Sequence, residues 1–282
     1  MADDQPDFEH DPRNTVKSIF DEAKLCWGTS LIMKVGAAGL GVFYIACHVT
    51  AALAPFTVAV IAAASELFQW RSDILRGHAE GLKRKIEYHD AFGWPISNMD
   101  LSDQLAQMTN KKREAIAKSV RENYFACREA QGPKRAVENL QESAWWSKHL
   151  SANMLTLCGI IMVCLFFGSF AVLVISASTI KNYTTLESVS RVVTAVLAFI
   201  VSLGLTRMIV GYYNFNKKSE NAERGAALLL KNDKVDDTDA LKLLHEYQIA
   251  RASAPPIPDR LWKIRRDTLN ELWDKYRNGI TG

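Results

Sequence analysis

The five cysteines form no CxxC pair, and Cys47, Cys158 and Cys164 lie inside apolar runs. They read as small core hydrophobes, which excludes a disulfide framework and a cysteine-built metal centre. The six histidines are scattered, without paired ligand spacing, so no metal site is expected. The chain also lacks a P-loop signature, a GxSxG elbow, an HExxH helix and a strand-borne GxGxxG. These absences leave no catalytic constellation, so no enzyme and no cofactor are expected. Neither sign of charge dominates: 34 Lys+Arg stand against 31 Asp+Glu, a net charge of +3. That is too little for a protein that binds DNA or RNA polymers. Strand-like alternation and internal repeats are absent as well, which points to an all-α chain.

What the chain has is apolar length. Its mean hydropathy of -0.06 averages long uncharged runs with strongly polar segments. Thr29 to Phe68 is 40 residues with Lys34, His48 and Glu66 as its only acidic or basic side chains. A helix of that length reaches ~60 Å, and one crossing of the ~30 Å hydrocarbon core needs ~20 residues. Two crossings with a turn between His48 and Pro55 fit better than one. Leu150 to Ile180 carries no charge over 31 residues, and Val192 to Phe215 carries only Arg207 over 24. The decapeptide KNYTTLESVS between those runs reads as a short external loop, and no span has a glycine or proline pair at its centre.

The expected layout is an N-terminal segment (1–28), a tight hairpin of two membrane helices (29–68), a helical region (69–149), two more membrane helices (150–215) and a helical tail (216–282). This is an all-α polytopic membrane protein with four transmembrane helices and a cytoplasmic helical bundle. The start, MADDQPDFEHD, is acidic where a secretory signal is basic. Four spans place both termini on one side. Basic residues flank the spans there (Lys24, Arg71, Arg76, Lys148, Lys217, Lys218), which makes that side cytoplasmic. Trp27, Trp70, Trp145, Trp146, Tyr212 and Tyr213 fall at the same ends and read as an interfacial aromatic belt. Lys34, Glu66 and Arg207 lie within a few turns of the surface, with an ion pair or snorkelling open to them. Ala37 and Gly41, with Ala59 and Ala63, make small-residue faces suited to a homo-oligomer within the bilayer.

In the polar parts, FGWP (92–95) ends the helix leaving span two. Asp100 reads as an N-cap for the next helix, and KKREAIAKSVRENYFACREA as an amphipathic helix running to Gly132. A helix from about Lys134 leads into span three. Asp236 to Asp239 precede another helix, APPIPD forms a rigid elbow, and Asp259 caps the last helix.

Two segments carry a resemblance: KIEYHDAFGWP (85–95) and YQIARASAPPIPDRLWKIRR (247–266). Both resemble the SMODS-associating four-transmembrane effector family of bacterial anti-phage signalling systems. The resemblance implies a multi-pass effector in the bacterial inner membrane. A partner nucleotidyltransferase would make a cyclic oligonucleotide second messenger, and the effector would respond by oligomerising and permeabilising the membrane. It implies structural or regulatory roles for Tyr88, Asp90, Trp94, Pro95, Arg251, Pro255, Pro256 and Pro258. It implies no catalytic residue.

A cyclic nucleotide needs fixed cations for its phosphates and flat groups for its bases. Trp94, Arg251, Trp262, Arg265 and Arg266 supply those groups around the two segments and are the expected ligand site. Lys34, Ala37, Gly41, Glu66 and Arg207 are the expected packing or gating set of the spans. The alternative reading is a membrane-anchored scaffold or channel subunit whose cytoplasmic helices bind a protein. In a cysteine-free background, an impermeant thiol reagent applied to intact cells should label a cysteine placed at 184. Labelling at 110 would overturn this topology.

Overall fold

The computed structural model describes residues 11–46, 53–106, 108–117, 125, 127–202 and 204–280. Among them it contains nine helices and no strand: α1 (Pro12–Ala46), α2 (Ala54–Phe92), α3 (Asn98–Ala106), α4 (Asn110–Ala117), α5 (Pro133–Thr179), α6 (Tyr183–Ser202), α7 (Leu205–Leu229), α8 (Asp237–Ser253) and α9 (Asp259–Ile280). The all-α expectation holds for these residues.

Three helices set the dimensions. α1, α2 and α5 have 35, 39 and 47 residues. At ~1.5 Å per residue each exceeds ~50 Å, well beyond a hydrocarbon core. Each therefore has an apolar end and an end in a polar bundle. Two helices are long and apolar enough to cross a membrane, Pro12–Ile45 and Pro133–Thr179. Only 11% of each apolar window is buried within the chain. In α5, Phe166, Phe167, Phe170 and Ile175 are all at least half exposed. A continuous apolar surface of this kind calls for a lipid or protein cover.

The other two expected spans fall short of that measure. The apolar part of α2, Ala54 to Phe68, is 15 residues, or ~22 Å. The run from Val192 to Phe215 is not one helix. It breaks at Gly204, whose φ of 65° is left-handed and belongs at the centre of the expected span. Gly204 is a single glycine and not a pair, yet it interrupts the run expected to be one span. The expected loop 181–190 is also mostly helix: α6 starts at Tyr183, and Asn182 Oδ1 accepts the Thr184 N–H at 3.0 Å. A side-chain acceptor there satisfies an orphan donor of the first turn. The expected turn from His48 to Pro55 lies mostly outside the described residues.

The polar ends pack as one bundle. α1 and α2 run side by side, with Ala23, Ser72 and Ala79 buried between helices and the Ser72 hydroxyl donating to Ala23 O at 2.7 Å. Small residues let the backbones approach this closely. α2 stops before Gly93, a left-handed C-cap with φ 71°. The Gly132 N–H then donates to Ala91 O at 2.7 Å, so α5 starts beside the end of α2. Ser97, rather than Asp100, caps α3 by accepting from Met99 N. Residues 127–130 are not helical, so the expected amphipathic helix does not reach Gly132; residues 118–124 lie outside the described set. The acids Asp236, Asp237 and Asp239 open α8 as expected, and Asp236 is its cap, accepting from Thr238 N and Asp239 N. Asp259 is instead the first residue of α9, whose Leu261 N–H donates to Pro258 O.

The main core joins α5, α7 and α8 through Leu140, Phe215, Leu244 and Tyr247, and Tyr88 and Phe92 of α2 pack against it. α9 returns along α5: Leu269 and Trp273 pack on Trp145 and Leu150. The proline elbow between α8 and α9 is clamped on α7. A Cβ at Gly211 would lie 2.7 Å from Pro255 Cγ, so only glycine fits there without displacing the ring. The next residue, Tyr212, is fully buried and donates to Pro256 O at 2.6 Å. Ile257 and Leu261 continue onto Met154, Cys158 and Tyr212.

These contacts correct the aromatic belt. Tyr212 and Trp145 are core residues of the bundle, while Trp70 and Tyr213 are exposed. They also move the start of the exposed apolar surface of α5 from Leu150 to about Leu157, because the elbow and α9 cover the turns before it. Gly211→Ala should displace the elbow and destabilise the protein by about 1–3 kcal/mol, the usual range for overpacking. Thermal unfolding in detergent checks this, with Gly39→Ala, where a Cβ meets nothing within 4 Å, as the neutral control.

Candidate functional site

The polar ends of α1, α2, α5, α8 and α9 enclose a cleft of about 920 Å³. Its floor is built by Arg251 in the last turn of α8. Arg251 Nε lies 2.8 Å from Glu80 Oε2, Nη1 2.6 Å from Glu87 Oε1, and Nη2 3.1 Å from Glu87 Oε2. Glu80 and Glu87 are seven residues apart, so both project from one face of α2. The guanidinium fork matches the Glu87 carboxylate, the strong form of such a pair. One turn back on α8, Gln248 Nε2 donates to Glu87 Oε2 at 2.9 Å. The Arg251 guanidinium also lies 5.6 Å from the Tyr247 ring centre. Tyr247 in turn donates its hydroxyl to Ser143 O at 3.0 Å and sits 2.8 Å from Ser147 Oγ. α8 is thus tied to α2 by charge and to α5 by hydrogen bonds.

Burial opposes ionisation of Glu87, but Arg251 and Lys83 outweigh it and hold the carboxyl below its ordinary value of 4.5. Burial opposes the charge on Arg251 too, and Glu87 and Glu80 more than offset that, raising it well above the ordinary arginine value. Burial pushes the Tyr247 hydroxyl up. These groups stay ionised, ionised and neutral in turn at neutral pH.

A second carboxylate, partly buried, lies at the far end of the cleft. Asp90 receives Arg13 Nη2 at 3.1 Å, Arg135 Nη2 at 2.8 Å and Asn139 Nδ2 at 2.8 Å. It joins the starts of α1 and α5 to the end of α2.

The expected ligand residues divide. Trp262 and Arg266 line the cleft, with the Arg266 guanidinium 5.4 Å from the indole centre. Arg251 lines it as well, but two carboxylates already neutralise it. Arg251 and Lys83 are balanced by Glu80 and Glu87, so this floor has no surplus positive charge for a phosphate. Trp94 lies outside the cleft lining and stacks 5.1 Å from Tyr88 and 5.6 Å from Phe92. Arg265 is outside it too, and its buried Nε has no partner among the described residues.

Of the expected packing and gating set, Lys34 Nζ lies 2.9 Å from Glu66 Oε1, with Lys34 well covered and Glu66 exposed. Arg207 is exposed on α7, three residues beyond the break at Gly204. Ala37 is buried, and a Cβ at Gly41 would meet nothing within 4 Å. Ala59 and Ala63 are exposed. Gly41 therefore serves no close approach within the chain.

Sequence reading missed Arg13, Glu80, Glu87, Arg135, Asn139 and Tyr247. One signal was present: Glu80, Glu87 and Asp90 share a helical face and interrupt it with acid beside Leu82 and Ile86. A buried acidic stripe demands basic partners.

Arg251→Met removes the cation that both carboxylates share, leaving Glu87 only Lys83 at 3.9 Å, and should cost about 3–5 kcal/mol. Glu87→Gln keeps the shape and should cost less. The pH dependence follows from the lowered Glu87 value. Its contribution is complete above 4.5 and is lost as pH falls through the lowered folded value. Denaturant unfolding at neutral and acidic pH checks this: the gap between wild type and Glu87→Gln should close in acid.

Comparison with known family models, curated proteins and solved structures gives no match to this chain.

Proposed function

We propose that the chain is a four-span membrane effector of anti-phage defence. It sits in the bacterial inner membrane with both termini and the polar bundle cytoplasmic. A cyclic oligonucleotide messenger occupies the cleft, and the spans respond by associating and permeabilising the bilayer. The observation that carries this reading is continuity: α1, α2 and α5 wall the cleft and run unbroken into the apolar end. A helix is stiff over this length, so a change of tilt at the cleft is delivered to the bilayer.

Four crossings are favoured by how the apolar ends assemble. α6 packs on both α1 and α5, and α2 packs along α1. In this reading the fourth crossing is α6 itself, whose 20 residues give ~30 Å, the thickness of the core. Glu187 and Arg191 then lie ~6 and ~12 Å inside one end of the crossing, and their pairing at 2.5 Å offsets the cost of charge at that depth. The break at Gly204 marks the other, and α7 leaves the bilayer there. Arg207 and the Tyr212 clamp fall at the cytoplasmic boundary, level with the elbow. Span two is short for the core, which local thinning of the bilayer accommodates, and thinning lowers the barrier to permeation. The resemblance of residues 85–95 and 247–266 to the effector family supports the same assignment. Liposomes holding the purified protein should release a trapped dye on addition of one member of a cyclic nucleotide panel. Equal leakage with and without every member would leave the reading without its switch.

A further inference from the structure

The cleft has two walls that face each other and differ from its floor. On α1, Arg13, Lys17, Phe20 and Lys24 fall three or four residues apart, and on α9 so do Asp259, Trp262, Arg266 and Asn270. Such spacing puts each set on one helical stripe. The stripes run in opposite senses from a single tie, the ion pair between Lys24 and Asp259. Lys17 is two turns from Lys24, and Lys263 and Arg266 are one to two turns from Asp259. A rise of ~1.5 Å per residue therefore sets them at similar heights, ~6–10 Å from the tie. Lys17 and Lys263 are exposed and in no ion pair or hydrogen bond among the described residues. Phe20 and Trp262 add a flat ring on each wall.

The floor carboxylates are already engaged, so the unpaired cations of the cleft among the described residues, Lys17 and Lys263, are on the walls; Arg266 beside them gives its Nε to the exposed Asp267 at 3.1 Å. Eight Lys or Arg and six Asp or Glu line the cleft, and Arg251, Arg13 and Lys24 are each held by an acid. The volume stands at the upper end of ligand pockets, which run ~300–1,000 Å³. That exceeds the need of a single phosphate or a mononucleotide.

We infer that the α1–α9 walls bind a ligand with at least two separated phosphates, one on Lys17 and one on Lys263 and Arg266, with Phe20 and Trp262 against its flat groups. This rests on the effector reading for its consequence. A ligand that spans the walls fixes α9 against α1, and so acts on the first span beyond the Lys24–Asp259 tie. The phosphates come either from a soluble cyclic oligonucleotide or from anionic lipid headgroups, since the tie lies near the membrane boundary.

The test uses the full chain in phosphatidylcholine nanodiscs. Binding of cyclic di-AMP, cyclic di-GMP and cyclic tri-AMP is measured for wild type, Lys17→Glu, Lys263→Glu and the control Lys242→Glu, an exposed α8 lysine outside the cleft. Each wall variant should lose at least about tenfold in affinity, the scale of one charge-assisted contact, and the control nothing. A parallel arm replaces the nucleotides by phosphatidylglycerol discs and reads thermal stability. Dependence on Lys17 and Lys263 there, without nucleotide binding, supports the site and names lipid as its ligand. Wild-type affinity in both wall variants, equal loss in the control, or no wild-type response to either phosphate source overturns the site. Dye leakage separates the two claims. Nucleotide-triggered leakage that survives in the Lys17→Glu/Lys263→Glu double variant sinks the site and keeps the effector reading. Nucleotide-insensitive leakage in wild type, with lipid dependence on the walls intact, does the reverse.

Discussion

The buried contact between Arg251 and the carboxylates of Glu80 and Glu87 is the constraint on which the rest of the bundle depends. Two acids on one face of α2 cannot be buried alone. The chain must therefore bring a cation back to them from 164 residues further on. Meeting that demand fixes the height and rotation of α8 on α2. Tyr247 and Gln248, a turn before Arg251, inherit their positions, and Tyr247 carries the contact on to α5. The pair is weak evidence for net stability, since desolvation opposes it. Its value lies in specificity: in this register of α8 one guanidinium meets both acids.

Once α8 is fixed, the elbow has one place to go. Pro255 lies on the bare backbone of Gly211, and Pro256 O accepts from Tyr212. The elbow then covers the first turns of the apolar run of α5, and α9 descends along α5 to Tyr276, whose hydroxyl accepts from Gln141 Nε2 at 3.4 Å. The tail thus touches the base of the apolar helices as well as the polar bundle. One end of the tail is at the cleft and the other where α5 becomes exposed and apolar.

The cleft separates two kinds of charge. Its floor and its far end hold Arg251 and Asp90 in closed ion networks that maintain the fold. Its walls hold lysines on α1 and α9 that nothing in the bundle uses. The two helices share few other contacts, so the width between them is set by the Lys24–Asp259 tie and by whatever lies in the cleft. An exposed tie of this kind contributes little to stability, and a wall that is cheaply moved is suited to a switch.

Helix class, the apolar runs, the stop at Gly93, the acids that open α8 and the helix entering α5 were legible in the sequence, because each depends on residues within a turn or two. The Arg251 and proline segment was singled out as well, though as a ligand site. Its structural part was hidden, because Glu80 and Glu87 are far away in the chain and only packing brings them to Arg251. The same limit explains Tyr212 and Trp145, which local hydropathy assigns to a headgroup belt and a returning tail buries. It explains the Val192–Phe215 run, where composition is continuous while Gly204 takes a left-handed turn. Lys17 and Lys263 carry no local mark at all. Composition and spacing act over one helix, but which charges are neutralised, and which are left facing a cleft, is decided by the helices that tertiary packing sets opposite one another.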